Sequence, residues 1–205
     1  MFEALDADYV RLIGENTLSR AVNLNQLSVG YSRAKRSEDA NRTSGLAVAV
    51  ARETTSADNR LFLQLAVGHA IGLRKLGRPE ESEALLREVV PGLRARLAPG
   101  VDAVNLAYAL SALARVVLDH GHDPAQARDL AAEAETLLLP HAGDFLVVYD
   151  GVIDPLVRSL AALGDHGQAA AALARYARLL NDRGEPPQSK WRENLAELRK
   201  LVPAR

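Results

Sequence analysis

In the stretch Gly77-Arg78-Pro79-Glu80-Glu81-Ser82-Glu83-Ala84-Leu85-Leu86, signals that end one helix are followed at once by signals that begin another. Gly77 suits a helix end because glycine adopts left-handed backbone angles without a steric penalty. Pro79 suits the first position of the next helix, where a missing N–H costs nothing, and the glutamates favour the positive end of the helix dipole. The stretch therefore predicts two helices joined by a tight turn at Gly77.

The same arrangement, a turn residue followed five or six positions later by a small residue, occurs four times in the chain. The successive small residues are separated by 42, 45 and 42 positions. A repeat of about 20–50 residues is typical of a solenoid, in which each unit buries its apolar face only against its neighbours. The four copies are Lys35…Ala40, Gly77…Ser82, Gly121…Ala127 and Gly164…Ala169.

Large and small residues also recur at fixed distances before each turn residue. Small positions let two antiparallel helices approach closely, and large ones fill the space between one helix pair and the next. The residues seven positions before the turn are Ser28, Ala70, Ala114 and Val157, and those four positions before it are Tyr31, Leu73, Val117 and Leu160.

Apolar residues recur at three- and four-residue steps, and no stretch sustains the alternation of a half-buried strand. The sequence therefore predicts an all-α fold of about ten helices, forming one solenoid over residues 1–205. Asn16 and Asp58 are expected to begin the first helices of two pairs. Pro155 is expected to bend or break the helix around it, which would then begin at Asp154. The predicted parts are a leader helix at 3–15, repeats at 16–55, 57–99, 101–141 and 144–182, and a capping helix at 188–202.

The turn region from Gly77 to Leu86, and the stretch Leu163-Gly164-Asp165-His166-Gly167-Gln168-Ala169, resemble the tetratricopeptide repeat (TPR). The period is longer than the ~34 residues of the standard TPR unit and resembles the long-helix form of kinesin light chains and many bacterial proteins. The resemblance covers residues 16–182 and implies a scaffold for protein–protein interaction. A HEAT-like array has a comparable period, but the turn glycine and the small residue after it favour the TPR.

A second resemblance concerns the last helix. The stretch Pro186-Pro187-Gln188-Ser189-Lys190-Trp191-Arg192-Glu193-Asn194-Leu195 is similar to the closing helix of repeat tails on some bacterial serine/threonine protein kinases. That likeness suggests a regulatory or scaffolding module of a bacterial protein. The chain itself has no Gly-rich phosphate loop and no H-R-D or D-F-G motif, so it is not expected to be a kinase.

Composition narrows the classes of partner and compartment. The 25 Lys and Arg residues nearly balance the 26 Asp and Glu residues, so no overall field attracts the protein to nucleic acid or an anionic membrane. The sequence has no cysteine, which removes thiolate chemistry and fits a reducing compartment. The acidic start, Met1 to Asp8, lacks the features of a signal peptide, so we expect a cytoplasmic protein. Nothing in the sequence indicates an oligomeric state.

Catalytic and metal-binding motifs are weak or missing. The segment Asp119-His120-Gly121-His122-Asp123 has metal-ligand residue types, but it falls on a predicted turn, where polar residues and helix caps are expected. His69 lies in a packing position, which favours a core histidine over a metal ligand. No nucleophile, zinc or nucleotide motif occurs. The sequence therefore predicts no enzyme activity, no metal and no cofactor.

The first helix of each pair lines the concave face of such arrays, so the predicted binding residues lie there. Their mixture of apolar and cationic side chains suits a peptide or partner helix, which is expected to be acidic because arginine can hold a carboxylate by two parallel bonds. A ligand-sensing regulatory domain, responsive to a peptide or small molecule, remains the alternative function. The predicted groove residues are Asn25, Val29, Arg33, Gln64, Ile71, Lys75, Tyr108, Ser111, Arg115 and Arg158.

Overall fold

The computed structural model describes residues 17–97, 101–121 and 123–203. These residues form nine α-helices and no β-strand, which confirms the all-α prediction. The leader helix predicted at 3–15, and the cap predicted at Asn16, lie outside the described residues. The helices are α1 (Leu18–Arg33), α2 (Ser37–Thr54), α3 (Arg60–Lys75), α4 (Pro79–Ala95), α5 (Val101–Val116), α6 (Pro124–Leu138), α7 (Leu146–Ala162), α8 (His166–Asp182) and α9 (Lys190–Arg199).

The chain divides into two compact units, the first ending at Arg96 and the second beginning at Leu97. In the first unit α1 packs on α2, α2 on α3, and α3 on α4. In the second unit α5 packs on α6 and α7, α7 on α6 and α8, and α9 on α8 and α7. Each unit therefore contains two of the four predicted helix pairs. That the two units form one solenoid stays a prediction.

Three helix pairs, and the link from α8 to α9, reverse direction through the same backbone device. The residue after the helix cap has a positive φ in each case, and the N–H of the next residue bonds back to a carbonyl five positions earlier, as in the Schellman motif. At Gly77, for example, φ is 73° and Arg78 N donates to Leu73 O at 3.0 Å. The positive-φ residues are Lys35, Gly77, Gly164 and Gly184.

The large framework residue four positions before the turn has two structural roles. Tyr31, Leu73 and Leu160 each provide the carbonyl that accepts the Schellman bond. Their side chains are also buried, with exposures of 3%, 3% and 2%. One residue thus both closes the turn and fills the core. The repeat therefore appears in the sequence as a fixed spacing between a large residue and the turn residue after it.

The third connection, between α5 and α6, accommodates one extra residue. Val117–Gly121 forms a single π-helical turn, and Asp123 N donates to Val117 O at 3.4 Å, one position later than in the other turns. Because the extra residue is taken up as a π-turn at the end of the helix, the residues of α5 before it keep their positions. Val117 is therefore still buried, at 2% exposure.

The small residues after the turns all lie in the cores of their units. Ala40 is 8% exposed, and Ser82, Ala127 and Ala169 are fully buried. Ser82 stands where the three other repeats have alanine, and its Oγ has no hydrogen-bond partner among the described residues. The second repeat therefore buries a hydroxyl that the others do not.

The prediction that Pro155 breaks its helix was wrong. Helix α7 begins at Leu146 and continues through Pro155 to Ala162. An interior proline costs about 3 kcal/mol, whereas each fully buried aliphatic side chain stabilises by about 1.5–3 kcal/mol. Four such residues flank Pro155, and the carbonyl that loses its donor belongs to Gly151, an exposed residue with open space beside it. The buried flanking residues are Val152, Ile153, Leu156 and Val157.

The predicted start of α3 at Asp58 was also wrong, because the helix begins two residues later. Helix α3 begins at Arg60, and the Asn59 side chain caps it by accepting a hydrogen bond from Leu61 N at 2.9 Å. Asparagine is among the best N-cap residues. Elsewhere the start at Pro79 was predicted correctly.

Within the described ranges, no helix combines the length and the apolar character needed to cross a membrane.

We predict that Ser82→Ala stabilises the first unit by about 1 kcal/mol, because it removes a buried hydroxyl without a partner and introduces the best helix former. Chemical denaturation followed by circular dichroism measures this change. Ser159→Ala is the matched control, since Ser159 is equally buried but its Oγ donates to Leu156 O at 2.9 Å. A Ser82→Ala variant no more stable than the parent contradicts the prediction.

Candidate interaction surface

Helix α1 of the first unit exposes a stripe of aliphatic side chains. Leu18, Val22 and Val29 are 40%, 38% and 39% exposed, while the opposite side of α1 packs on α2. Asn25 lies half-buried in the same stripe, and Arg33 lies exposed at its end. These residues recur at three- and four-residue steps and therefore share one face of the helix. Leu18 and Val22 were missed by the sequence prediction.

Helix α3 exposes a narrower and more polar stripe. Gln64, Gly68 and Lys75 are exposed, and Ile71 is half-buried between them. An alanine side chain built at Gly68 would meet nothing within 4 Å, so the backbone of α3 is open to close approach there. All three predicted binding residues of this helix thus lie along its solvent-facing side.

The first helices of this unit carry cations but no carboxylates. Neither α1 nor α3 contains an Asp or Glu residue. Arg33 and Lys75 have no ion-pair or hydrogen-bond partner within the part of the chain that the structure describes. Both positive charges are therefore available to an incoming group.

Two carboxylates on the second helices of the first unit are held by arginines of those helices or their caps. Asp39 on α2 accepts from Arg36 at 2.7 Å and from Arg42 at 3.0 Å, and these bonds lower its pKa. Glu81 on α4 pairs with Arg78 at 2.6 Å, which likewise lowers the pKa of Glu81. Negative charge is thus kept off the α1 and α3 stripes.

In the second unit, the two predicted groove arginines converge on one buried carboxylate. Arg158 Nε donates to Asp154 Oδ1 at 2.8 Å on α7, and Arg115 of α5 pairs with the other oxygen of Asp154. The Asp154 side chain is 7% exposed, against 26% for Arg115 and 42% for Arg158. The cluster links α5 to α7 and leaves one net positive charge shared by two arginines.

Tyr108 and Ser111 of α5 differ in accessibility. Tyr108 is 40% exposed, whereas Ser111 is 4% exposed and its Oγ donates to Tyr108 O at 2.9 Å. The Ser111 hydroxyl is therefore turned to its own helix. Of the two residues, Tyr108 is the one that a partner can reach.

Sequence reasoning missed Asp154 as the partner of both arginines. A local signal existed, because Asp154 and Arg158 lie at the i,i+4 spacing that brings side chains together on a helix. No local signal pointed to Arg115, which lies on a different helix and reaches Asp154 only after α5 and α7 have packed.

A second carboxylate cluster, also missed, joins three helices of the second unit. Glu135 on α6 is 9% exposed and accepts two bonds from Arg175 on α8, at 3.0 and 2.7 Å. Tyr149 on α7 donates its hydroxyl to the same carboxylate at 3.0 Å. Burial, together with the Glu135 charge, raises the pKa of Tyr149, so its proton stays in place. All groups are mutually satisfied, which indicates a structural role.

Polar side chains also fasten α9 to the second unit. Asn194 donates to Asp150 at 2.7 Å, and the buried Tyr176 hydroxyl donates to the same carboxylate. Arg192 donates to Glu185 O at 2.8 Å and to the Asn181 side chain at 3.0 Å, at the end of α8. A cation near the last carbonyls of a helix is favoured by its dipole. Helix α9 therefore covers the end of α8, as predicted for a capping helix.

His69 lies at the contact between α3 and α2, as its packing position predicted. Its Nδ1 lies 2.9 Å from Ser44 Oγ, and its ring lies against Gly45, where a Cβ would approach to 3.2 Å. Burial, followed by the Arg78 charge, lowers the pKa of His69, and Glu81 opposes this shift. A neutral imidazole is therefore favoured in the folded protein.

The polar segment around Gly121 forms a turn. Asp123 caps α6 by accepting from Gln126 N at 2.9 Å, and Val117–Gly121 is the π-helical turn already described. His122 lies outside the described residues. Across the described ranges, no three His, Asp or Glu side chains come together as a metal site.

We predict that Asp154→Asn lowers the free energy of unfolding by about 2 kcal/mol, because two guanidinium groups then face a neutral amide. This value lies below the 3–5 kcal/mol typical of a broken buried ion pair, since both arginines are partly hydrated. Urea denaturation measures the loss. Asp129→Asn is the control, because Asp129 makes an exposed pair with Arg128, and its loss costs at most ~1 kcal/mol. Equal effects of the two substitutions contradict the assignment.

Stability is predicted to fall as the pH drops below about 6.5, the ordinary pKa of histidine. The folded protein holds the pKa of His69 below that value, so the unfolded chain takes up the proton first and is favoured. His69→Gln keeps a hydrogen-bonding group but removes the titration. The slope of unfolding free energy against pH between 7 and 5 should therefore be smaller in this variant. Identical slopes would exclude His69 as the source.

Solved structures provide the comparison with known proteins, since no protein-family model and no curated protein matches the chain. BtubC (BKLC) from P. vanneervenii superposes with a TM-score of 0.71 at 16% sequence identity, covering 90% of this chain and 74% of that protein. A kinesin light chain-like protein of Podosopora anserina with nearly identical TPR-like repeats gives a TM-score of 0.65 at 17% identity, covering 90% of this chain and 96% of that one.

At such low identity these similarities establish the fold alone. They agree with the Schellman turns and the buried small residues found in the helix pairs of each unit. The chain thus has the fold of TPR-like repeat proteins, which confirms the fold class and the resemblance predicted from the sequence.

Proposed function

We propose that this protein is a non-catalytic interaction module, which binds a peptide or helix of a partner protein through the exposed stripes of its first helices. One observation carries the proposal. The stripes of α1 and α3 combine exposed aliphatic side chains with the unpaired cations Arg33 and Lys75, and no carboxylate lies on either helix.

The chemistry of these stripes fits an amphipathic, acidic segment. Leu18, Val22 and Val29 keep about two-fifths of their surface in water, and covering it gains roughly 0.5–1 kcal/mol for each side chain. Arg33 can hold a partner carboxylate by two parallel bonds, and Lys75 can add a point charge. Apolar contact supplies affinity, and the two cations select for acidic residues.

In the second unit, several of the predicted groove residues are already engaged within the protein. Asp154 already holds Arg115 and Arg158, so a partner carboxylate there competes with one of the protein's own. Ser111 bonds to its own helix. In the second unit, Tyr108 and the exposed edge of Arg158 are the predicted groove residues that stay most accessible to a partner.

The proposed module has no catalytic activity and no bound cofactor. It is a cytoplasmic protein that binds another protein, and not nucleic acid or a membrane. A bacterial scaffold or regulatory protein fits this description. The alternative, a ligand-sensing regulatory domain, is favoured by a separate observation, a pocket between α8 and the end of α9.

A peptide selection tests the proposed surface. Random 16-residue peptides displayed on phage are selected on the whole immobilised chain, and a labelled winner is titrated by fluorescence anisotropy. We expect enriched peptides with spaced apolar residues and several acidic ones. Arg33→Glu/Lys75→Glu should raise the Kd at least tenfold, because both unpaired cations become repulsive.

The matched control carries the same change in net charge away from the stripes. Arg178→Glu/Lys190→Glu alters exposed cations of α8 and α9 and should leave the Kd unchanged. A selection that enriches nothing contradicts peptide binding. A winning peptide that binds Arg33→Glu/Lys75→Glu as tightly as the parent contradicts the proposed surface.

A further inference from the structure

A pocket lies in the second unit, between the outer face of α8 and the residues that end α9. Its volume is about 490 Å³, within the range of small-molecule sites. Most of its wall is apolar, and its remaining lining comes from one imidazole and one guanidinium group. The lining residues are His166, Ala170, Leu173, Ala174, Arg199, Val202 and Pro203.

The apolar wall is built by helical spacing and by the chain that leaves α9. Ala170, Leu173 and Ala174 lie on one face of α8, three or four residues apart. Because Ala170 and Ala174 are small and exposed, they leave the volume of the pocket open. Leu173, which is 5% exposed, forms the floor of the pocket. Val202 and Pro203, which follow α9, form the facing wall.

Both polar groups of the lining are unsatisfied within the part of the chain that the structure describes. The His166 Nδ1 atom is buried and has no hydrogen-bond partner. The Arg199 side chain, which is exposed, has neither an ion pair nor a hydrogen bond. No carboxylate belongs to the lining. An apolar pocket with one uncompensated cation and one free imidazole nitrogen complements a ligand with an aliphatic body and an anionic end.

We propose that this pocket binds a small aliphatic carboxylate. The hydrocarbon chain lies against Leu173, Val202 and Pro203, and the carboxylate pairs with Arg199 and accepts a hydrogen bond from the imidazole of His166. Arginine matches a carboxylate through two parallel N–H bonds, which a hydroxyl or ammonium group cannot use. The site shares no residue with the α1 and α3 stripes and does not rest on the proposed function.

The position of the pocket couples ligand binding to the capping helix. The ligand touches α8 on one side and the end of α9 on the other, so it adds contacts between two helices that polar side chains already join. A ligand that binds only the folded state raises its stability by mass action. Binding is therefore expected to raise the Tm of the protein.

The test uses the whole chain and octanoate as the probe. Nuclear magnetic resonance spectra of the ¹⁵N-labelled protein follow the amides of Ala170, Ala174 and Val202 during the titration. We expect saturable shifts at these amides, with octylammonium binding at least tenfold more weakly and octanol intermediate. Thermal denaturation should show a higher Tm with octanoate.

Substitutions test the contributions of the Arg199 charge and of the cavity volume separately. Arg199→Gln should weaken octanoate binding about tenfold and leave octanol binding unchanged, while Arg178→Gln, on α8 but outside the lining, should change neither. Ala174→Trp fills the pocket from an exposed position and should abolish both. Circular dichroism establishes that each variant is folded, and Ala170→Phe serves as a second filling variant.

Three results would overturn the proposal. The first is the absence of saturable shifts with octanoate at millimolar concentration. The second is equal binding of octanoate and octylammonium, since the cation would then play no part. The third is a dimer, detected by sedimentation velocity, that Ala174→Trp disrupts, because a second copy of the chain would then occupy the pocket.

Discussion

The fold depends on a single backbone position in most of the helix pairs, the residue whose φ must be positive for the chain to turn back. Glycine meets this demand without strain at Gly77 and Gly164, and Lys35 meets it in the first pair at a cost of about 1–2 kcal/mol. The turn is closed by a carbonyl of the preceding helix whose own side chain is buried, as at Leu73. Turn and core are therefore specified together, and a change in one residue of this set disturbs both.

Charge is distributed differently in the two units, and the proposed binding surface rests on this difference. In the first unit, helices α1 and α3 carry cations and no acidic residue, while Asp39 and Glu81 on the second helices pair with nearby arginines. In the second unit, Asp154 takes up the two arginines of the first helices. Arginine therefore belongs to the surface proposed for recognition in one unit, through Arg33, and has a structural role in the other, through Arg115. The difference lies in whether a carboxylate is packed nearby.

The second unit is held by buried polar clusters as well as by apolar packing. Glu135 joins three helices through Arg175 and Tyr149, and Asp150 joins α7, α8 and α9. In a medium of low dielectric, satisfied networks of this kind fix a unique arrangement of helices. Helix α9 is fixed by them at its start, whereas its end borders an open pocket with an unpaired arginine. This contrast makes the end of α9 the part of the unit best placed to respond to a ligand.

Local sequence was enough to predict the helices, the turns and the pairing, because these features depend on residues that are close together in the chain. Spacing, turn chemistry and capping residues are local, and they predicted the ends of most helices to within a few residues. The sequence misjudged Pro155, because the burial that offsets the cost of the proline comes from neighbouring helices. It also read Arg115 and Arg158 as free cations. The spacing of Asp154 and Arg158 on α7 gave a local signal for one of these pairs. The other pair forms only when α5 and α7 pack together, because Arg115 lies about forty residues before Asp154 in the chain and no local pattern connects them.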